Sequence, residues 1–170
     1  MSFDVSQYTN ASLRMAAEIR YENSSAAHVF EVLGDPNLIP SWYALAKEVH
    51  IHEAPTGEAP PGEEPPFTVE FTFFGLVQEE ILHWDPPHRY VYQAKGEGFP
   101  IKDYVACIEV MPTGDNSGTM TWRIYCDQIE GEHYQRVLPI ILPAINKASM
   151  EKLSPLIGGV ECSVASYFDV

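Results

Sequence analysis

Apolar and polar residues alternate with a period of two along most of this chain, and the period lengthens to that of a helix in only two regions. Residues 12–22 (SLRMAAEIRYE) alternate loosely and predict a first strand. The segment NSSAAHVFEVLGDP follows, in which Ser24 or Ser25 can cap a helix with the apolar stripe Val29, Phe30 and Leu33. Gly34 and Pro36 end it. Residues 36–43 carry Leu38, Ile39 and Trp42 and hold one or two further turns. Residues 45–52 (LAKEVHIH) return to strand periodicity, and 54–66 (APTGEAPPGEEPP) then bring five prolines and three glutamates. Neither a helix nor a β-ladder tolerates that proline density, so this is an exposed, stiff loop within the domain.

Strands then come in quick succession. Residues 67–74 alternate Phe67, Val69, Phe71 and Phe73 against Thr68, Glu70 and Thr72, with Gly75 at the bend. Residues 76–84 form another strand, Asp85-Pro86-Pro87-His88 a turn, and 89–95 (RYVYQAK) the next strand. Residues 101–111 and 119–127 flank the turn PTGDNSG. Strands so close together, with no helix between them, pair as antiparallel neighbours.

The second helical region, 132–156, places Val137, Leu138, Ile141, Ile145, Ala148 and Leu153 largely on one face. Pro139 and Pro143 interrupt it, each at a cost of roughly 3 kcal/mol inside a helix, which predicts a bend or break near 142–144. The tail 158–170 receives no assignment. A sheet of about seven strands in the order β-α-α-β6-α needs its apolar face covered, and the last helix alone is long enough to do so. The expected fold is α+β: one curved antiparallel sheet gripping a long C-terminal helix, in a single domain of residues 1–170 with its core at about 12–156.

Composition narrows the partners. With 10 Lys+Arg against 24 Asp+Glu, the formal charge of −14 repels nucleic-acid phosphates and anionic lipid headgroups. No apolar run reaches the ~18 residues of a membrane span. MSFDVSQYTNA has neither a basic nor an apolar signal region, and Cys107, Cys126 and Cys162 are an odd number without metal-ligand spacing. A cytoplasmic protein with reduced thiols is expected, inserting in no membrane and binding no nucleic acid, its oligomeric state open.

The element order and SSAAHVFEVLGDPNLIPSWY resemble the START-like (SRPBCC, Bet v 1-like) superfamily, and within it the polyketide cyclase/dehydrase and lipid-transport group. The match rests on Val29-Phe30, Asp35-Pro36, Trp42, Trp84-Asp85-Pro86-Pro87, Asp103-Tyr104, and Gly118-Thr119 ahead of Trp122. The resemblance implies a helix-grip fold with an internal pocket for a hydrophobic molecule. Plant members join the second and third strands with a glycine-rich loop, where this chain has the proline- and glutamate-rich 54–66.

No GxGxxG, P-loop, GxSxG, HExxH or CxxC motif occurs, so no cofactor and no metal are expected. Chemistry must come from side chains pointing into the cavity. Alternation places Met120, Trp122, Ile124 and Cys126 inward, with Val69, Phe71, Phe73, Tyr90, Tyr92 and Tyr104. Trp42, Trp122, Phe71, Phe73, Tyr90, Tyr92, Tyr104, Tyr134, Leu138 and Ile141 are the candidate ligand contacts, with tyrosine hydroxyls as polar anchors. Strand 76–84 reads in either phase. If Ile81 faces inward, so do Val77, Glu79 and His83, and Glu79 with His83 become a candidate acid/base pair. In the opposite phase Gln78, Glu80, Leu82 and Trp84 face inward. His50 and His52 share a strand face but lack the further ligands of a zinc site.

Three functions fit: a carrier or sensor of a lipid, isoprenoid or aromatic polyketide in a cavity of about 300–1,000 Å³; a cofactor-independent cyclase or dehydratase using cavity Glu, His and Tyr; and an interaction domain with a protein in its groove. The first needs the fewest special residues.

Overall fold

The structure, a computed structural model, describes residues 3–52, 67–72 and 75–168, with the backbone alone at 67 and 68. The first strand, β1 (Leu13–Glu22), leads to α1 (Ala26–Gly34), a 3₁₀ turn at Pro36–Leu38 and the short α2 (Ile39–Trp42). Strands β2 (Ala46–Ile51), β3 (Phe67–Phe71), β4 (Gly75–Asp85) and β5 (Arg89–Lys95) follow. After them come β6 (Ile101–Lys102), β7 (Tyr104–Gly114), β8 (Ser117–Tyr125) and β9 (Gln128–Ile129). The long helix α3 (Glu132–Leu153) and a final strand, β10 (Gly159–Ser166), complete the order. Eight strands form one antiparallel sheet in the order β10-β1-β8-β7-β5-β4-β3-β2, and β6 pairs with β9 apart from it. This is an α+β helix-grip fold.

Local chemistry explains the joints. Ser25 Oγ accepts a hydrogen bond from the His28 N–H at 3.2 Å and caps α1. Asp35 then accepts from the Asn37 N–H at 2.9 Å, turning the chain into the 3₁₀ turn at Pro36. The expected strand 101–111 is divided because Asp103 adopts φ 53°, a left-handed conformation that ends one ladder and begins another.

Three expectations are corrected. Helix α3 runs unbroken through Pro139 and Pro143. The prolines are four residues apart, so the bonds they delete lie on one side of the helix, and the remaining turns keep their ladder. The buried stripe of α3 comprises Leu138, Leu142, Asn146, Ser149, Met150 and Leu153, rotated from the face predicted through Ile141 and Ile145. The tail, unassigned from sequence, supplies β10, whose pairing with β1 extends the sheet to eight strands. The proline-rich 54–66 lies outside the described residues.

Two apolar clusters sandwich the sheet. The larger lies between the concave face and the helices, with Ile19, Tyr21, Val29, Val69, Ile108, Met120, Leu138 and Leu153 among its buried members. Burying each such aliphatic chain contributes roughly 1.5–3 kcal/mol. A smaller one covers the outer face, where Val91, Val105, Cys107 and Tyr125 pack under Phe3, Val5, Tyr8 and Leu13. Among the described residues, no helix is long and apolar enough to cross a membrane.

Candidate functional site

The concave side of the sheet encloses a cavity with about 60 Å³ open to the centre of a water molecule. That is room for roughly four to six water-sized groups. The expected 300–1,000 Å³ is not present in this conformation, because large rings occupy the space. Among the described residues, nine aromatic side chains line it: Trp42, Tyr43, Phe71, Trp84, Tyr90, Tyr92, Phe99, Tyr104 and Trp122. Aliphatic chains such as Met15, Val77, Ile81, Ile124 and Leu142 fill the gaps, and Asn146 projects from α3.

The rings fall into two groups. Tyr43 forms the hub of the first, edge-on to Trp42 (centroids 6.0 Å), Trp122 (5.8 Å) and Phe71 (5.1 Å). Its position is set from both sides in the chain. The Tyr43 N–H donates to Ile39 O at 2.8 Å, and the next residue, Ala44, donates its N–H to Ser149 Oγ on α3 at 3.0 Å. The second group is a row along β5 and its neighbours: Trp84 to Tyr90 (5.4 Å), Tyr90 to Tyr92 (6.0 Å) and Tyr92 to Tyr104 (6.3 Å). Edge-to-face contacts match the positive rim of one ring to the negative face of another.

Among the described residues of this lining, Glu79 is the one with an ionisable carboxyl, and none is Lys, Arg or His. It has no hydrogen-bond or ion-pair partner among the described residues. Burial raises its pKa from the ordinary 4.5 to about 8, since a carboxylate loses its hydration there. Its side chain is half-buried and lines the cavity. Its neighbour Glu80 points the other way, accepts from Gln93 Nε2 (2.6 Å) and Lys95 Nζ (3.2 Å), and is held below the usual range by those bonds. One strand thus carries two glutamates with opposite protonation tendencies.

The tyrosines remain neutral donors. Desolvation, and secondarily the Glu79 charge, push Tyr43 and Tyr90 up; for Tyr92 and Tyr104 desolvation again leads, with nearby tyrosines and Glu79 adding to it. The Tyr90 hydroxyl is committed, donating to Leu33 O at 2.8 Å. The Tyr92 and Tyr104 hydroxyls engage one another. Trp42 Nε1, Trp122 Nε1 and Asn146 Oδ1 are buried without a partner among the described residues.

Of the residues expected at the site, Trp42, Phe71, Tyr90, Tyr92, Tyr104, Trp122 and Glu79 come together around the cavity. Phe73 lies outside the described residues. Leu138 is packed in the core without bordering the cavity, and Ile141, off the rotated buried stripe of α3, packs against that core. Tyr134 is exposed in the first turn of α3, beside His133.

His83 is the main correction. A bulge between Ile81 and His83 shifts the register of β4 against β5. Val77, Glu79 and Ile81 face the cavity before it, whereas Trp84 does so after it. His83 is sent to the outer face, where its ring stacks on Phe3 at 5.3 Å and meets Tyr8 at 5.9 Å. No Glu79–His83 pair forms. His50 lies at the surface, 3.6 Å from Glu70 and 3.8 Å from Glu48. Tyr43 and Asn146 are lining residues that strand and helix periodicity did not identify, and Trp84 is one that only the opposite phase of 76–84 turned inward.

The family described as polyketide cyclase / dehydrase and lipid transport matches residues 14–157. No curated protein matches the sequence. Among solved structures, a hypothetical protein of Helicobacter pylori superimposes with a TM-score of 0.69 at 11% identity, over 92% of this chain and 95% of that one. Protein XoxI of Bacillus cereus gives 0.64 at 15% identity, covering 85% and 95%. Norcoclaurine synthase of Thalictrum flavum, in complex with dopamine and hydroxybenzaldehyde, gives 0.60 at 17% identity, covering 92% and 93%. Likeness at these identities establishes a common fold.

Proposed function

Given that the chain belongs to the polyketide cyclase / dehydrase and lipid transport family, we propose that it binds a compact, ring-bearing hydrophobic molecule in its internal cavity, as a carrier or sensor. The observation that carries this reading is the aromatic enclosure itself: nine rings gathered from α2, its following residue, five strands and a loop around one interior space. Rings of this number around one space, four of them tyrosines with hydroxyls, give a ligand an apolar enclosure with polar contacts. A long acyl chain fits poorly in about 60 Å³, whereas a small ring needs few side chains to turn aside. The test is mass spectrometry of an organic extract of natively purified protein against a protein-free control. A stoichiometric ring compound supports the reading. If the extract is empty and titrated single-ring compounds leave tryptophan fluorescence unchanged, the reading is wrong.

One observation favours a second reading, a cofactor-independent cyclase or dehydratase. Glu79, at about 8, is poised to exchange a proton near neutral pH, as a general acid or base must. In that reading Glu79 removes or supplies a proton alpha to a substrate carbonyl, and the Tyr43 or Tyr104 hydroxyl donates to the developing enolate oxygen. His83 takes no part. Turnover of a carbonyl substrate that survives Glu79→Gln undiminished would eliminate this reading.

A further inference from the structure

We infer that the cavity is selective for a compact organic ammonium, its alkyl or aryl body among the rings and its charged nitrogen beside Glu79. The inference rests on the binding reading above and names the chemical class of ligand. The cavity combines two features that both recognise a cation. Ring faces carry negative quadrupole density, and an ammonium within about 6 Å of a Trp or Tyr ring is attracted to it, the more so when desolvated. Trp42, Tyr43 and Trp122 crowd within 6.0 Å of one another, centroid to centroid, at one side of the space. The second feature is a carboxyl with no partner. Across the described lining there is no Lys, Arg or His, so Glu79 is either kept protonated or meets a counter-charge carried in by the ligand.

Asn146 Oδ1, buried on α3 without a hydrogen bond, adds an acceptor to the same lining, and an ammonium N–H is the complementary donor. The whole chain contributes as well, since a formal charge of −14 concentrates cations at its surface and disfavours anionic ligands of equal size. A neutral hydrophobic ligand would use the rings and give the Glu79 carboxylate no charge partner.

The groups facing Glu79 are Tyr43 after α2, Tyr90 and Tyr92 on β5 and Tyr104 on β7, and all four are held neutral. Glu79 is therefore the group whose protonation changes when a cation enters. Binding below pH 8 expels its proton to solvent.

The test is calorimetric titration of the whole protein with isobutylamine against isobutanol, and benzylamine against benzyl alcohol, at pH 8. Each pair differs in charge and little in shape. The expected result is at least a tenfold preference for the amine in one pair, reduced to about twofold in Glu79→Gln, a variant whose folding is checked by thermal melting. Repeating the titration at pH 7 in phosphate and MOPS, whose ionisation enthalpies differ, should show close to one proton released per amine bound. Equal affinities within both pairs, or a preference unchanged in Glu79→Gln, overturn the inference and leave the hydrophobic cavity reading intact. If neither amine nor alcohol binds, both fall.

Discussion

Glu79 and Glu109 are carboxylates of the same sheet, both withdrawn from bulk water, and they face opposite sides of it. Glu109, on the outer face, is enclosed by partners: Arg123 Nη2 donates to Oε2 at 2.5 Å, and the Phe3 N–H donates to Oε1 at 3.1 Å. Arg123 also donates to the Tyr125 hydroxyl and to Phe3 O, so the pair ties the N-terminal segment onto β7 and β8. Glu79, on the concave face, has rings and hydroxyls around it and no cation. A buried carboxylate is tolerated when it is paired and hydrogen-bonded; one left unpaired is kept neutral or awaits a partner. The outer carboxylate is architecture by this criterion, and the inner one is the candidate for a site.

Four experiments would break or sharpen that contrast. The largest effect is expected from Arg123→Ala, which strands Glu109 without its cation and should cost about 3–5 kcal/mol in urea unfolding. A loss below about 1 kcal/mol would mean that the outer carboxylate is as dispensable to folding as any surface group.

Next is the pH dependence contributed by Glu79. Between pH 4.5 and 8 the native protein keeps a proton that the unfolded chain has released, so more protons are bound in the native state. Stability therefore falls as pH rises through this window, by at most about 5 kcal/mol and by less to the extent that the half-buried carboxyl meets solvent, and levels off above it. Glu79→Gln should remove that slope, and the stability difference between wild type and variant should be larger at pH 8 than at pH 5. Parallel curves for the two proteins would show that Glu79 is hydrated.

A smaller effect should follow Gly34→Ala. A Cβ there would lie 2.7 Å from Trp84 Cη2, so the indole must swing away. A cost of about 1–2 kcal/mol in thermal unfolding is expected, with altered tryptophan emission. Both remaining at wild-type values would mean that the cavity rim has more slack than its contacts suggest. The smallest is His83→Ala, which removes the stacking on Phe3 at about 1 kcal/mol and should leave ligand affinity unchanged. A loss of affinity would place His83 in the site after all.

The bulge in β4 also marks the limit of what the sequence reveals. Period-two alternation found Val69, Phe71, Tyr90, Tyr92, Tyr104 and Trp122 because their strands are regular across the cavity. It gave two phases for 76–84 because each is correct for part of the strand: Glu79 and Ile81 obey one, Trp84 the other, with the register shift between them. No local residue pattern marks that extra step. Tyr43 was hidden for another reason: it follows a four-residue helix and owes its position to Ala44 and Ser149, a contact across 105 residues. β10 left little trace because an edge strand with mostly exposed side chains has no apolar alternation to detect. The overall helix-grip order was legible because the strands and final helix follow one another with turn residues between them.

The placement of β1 has a consequence for synthesis. It lies in the sheet between β8 and β10, and its partner nearest in sequence, Ser117 opposite Glu22, is 95 residues further on. At ribosomal speeds of about 5–20 residues per second, β1 waits roughly 5–20 s for that partner to be made. Throughout that interval Met15, Ala17, Ile19 and Tyr21, all buried in the finished protein, have no sheet to join. The nascent chain therefore carries an adhesive strand with two open edges, and local contacts cannot shorten the wait. Yield in the cell should be governed by what shields residues 13–22 during translation, with slower codons before β8 lowering it.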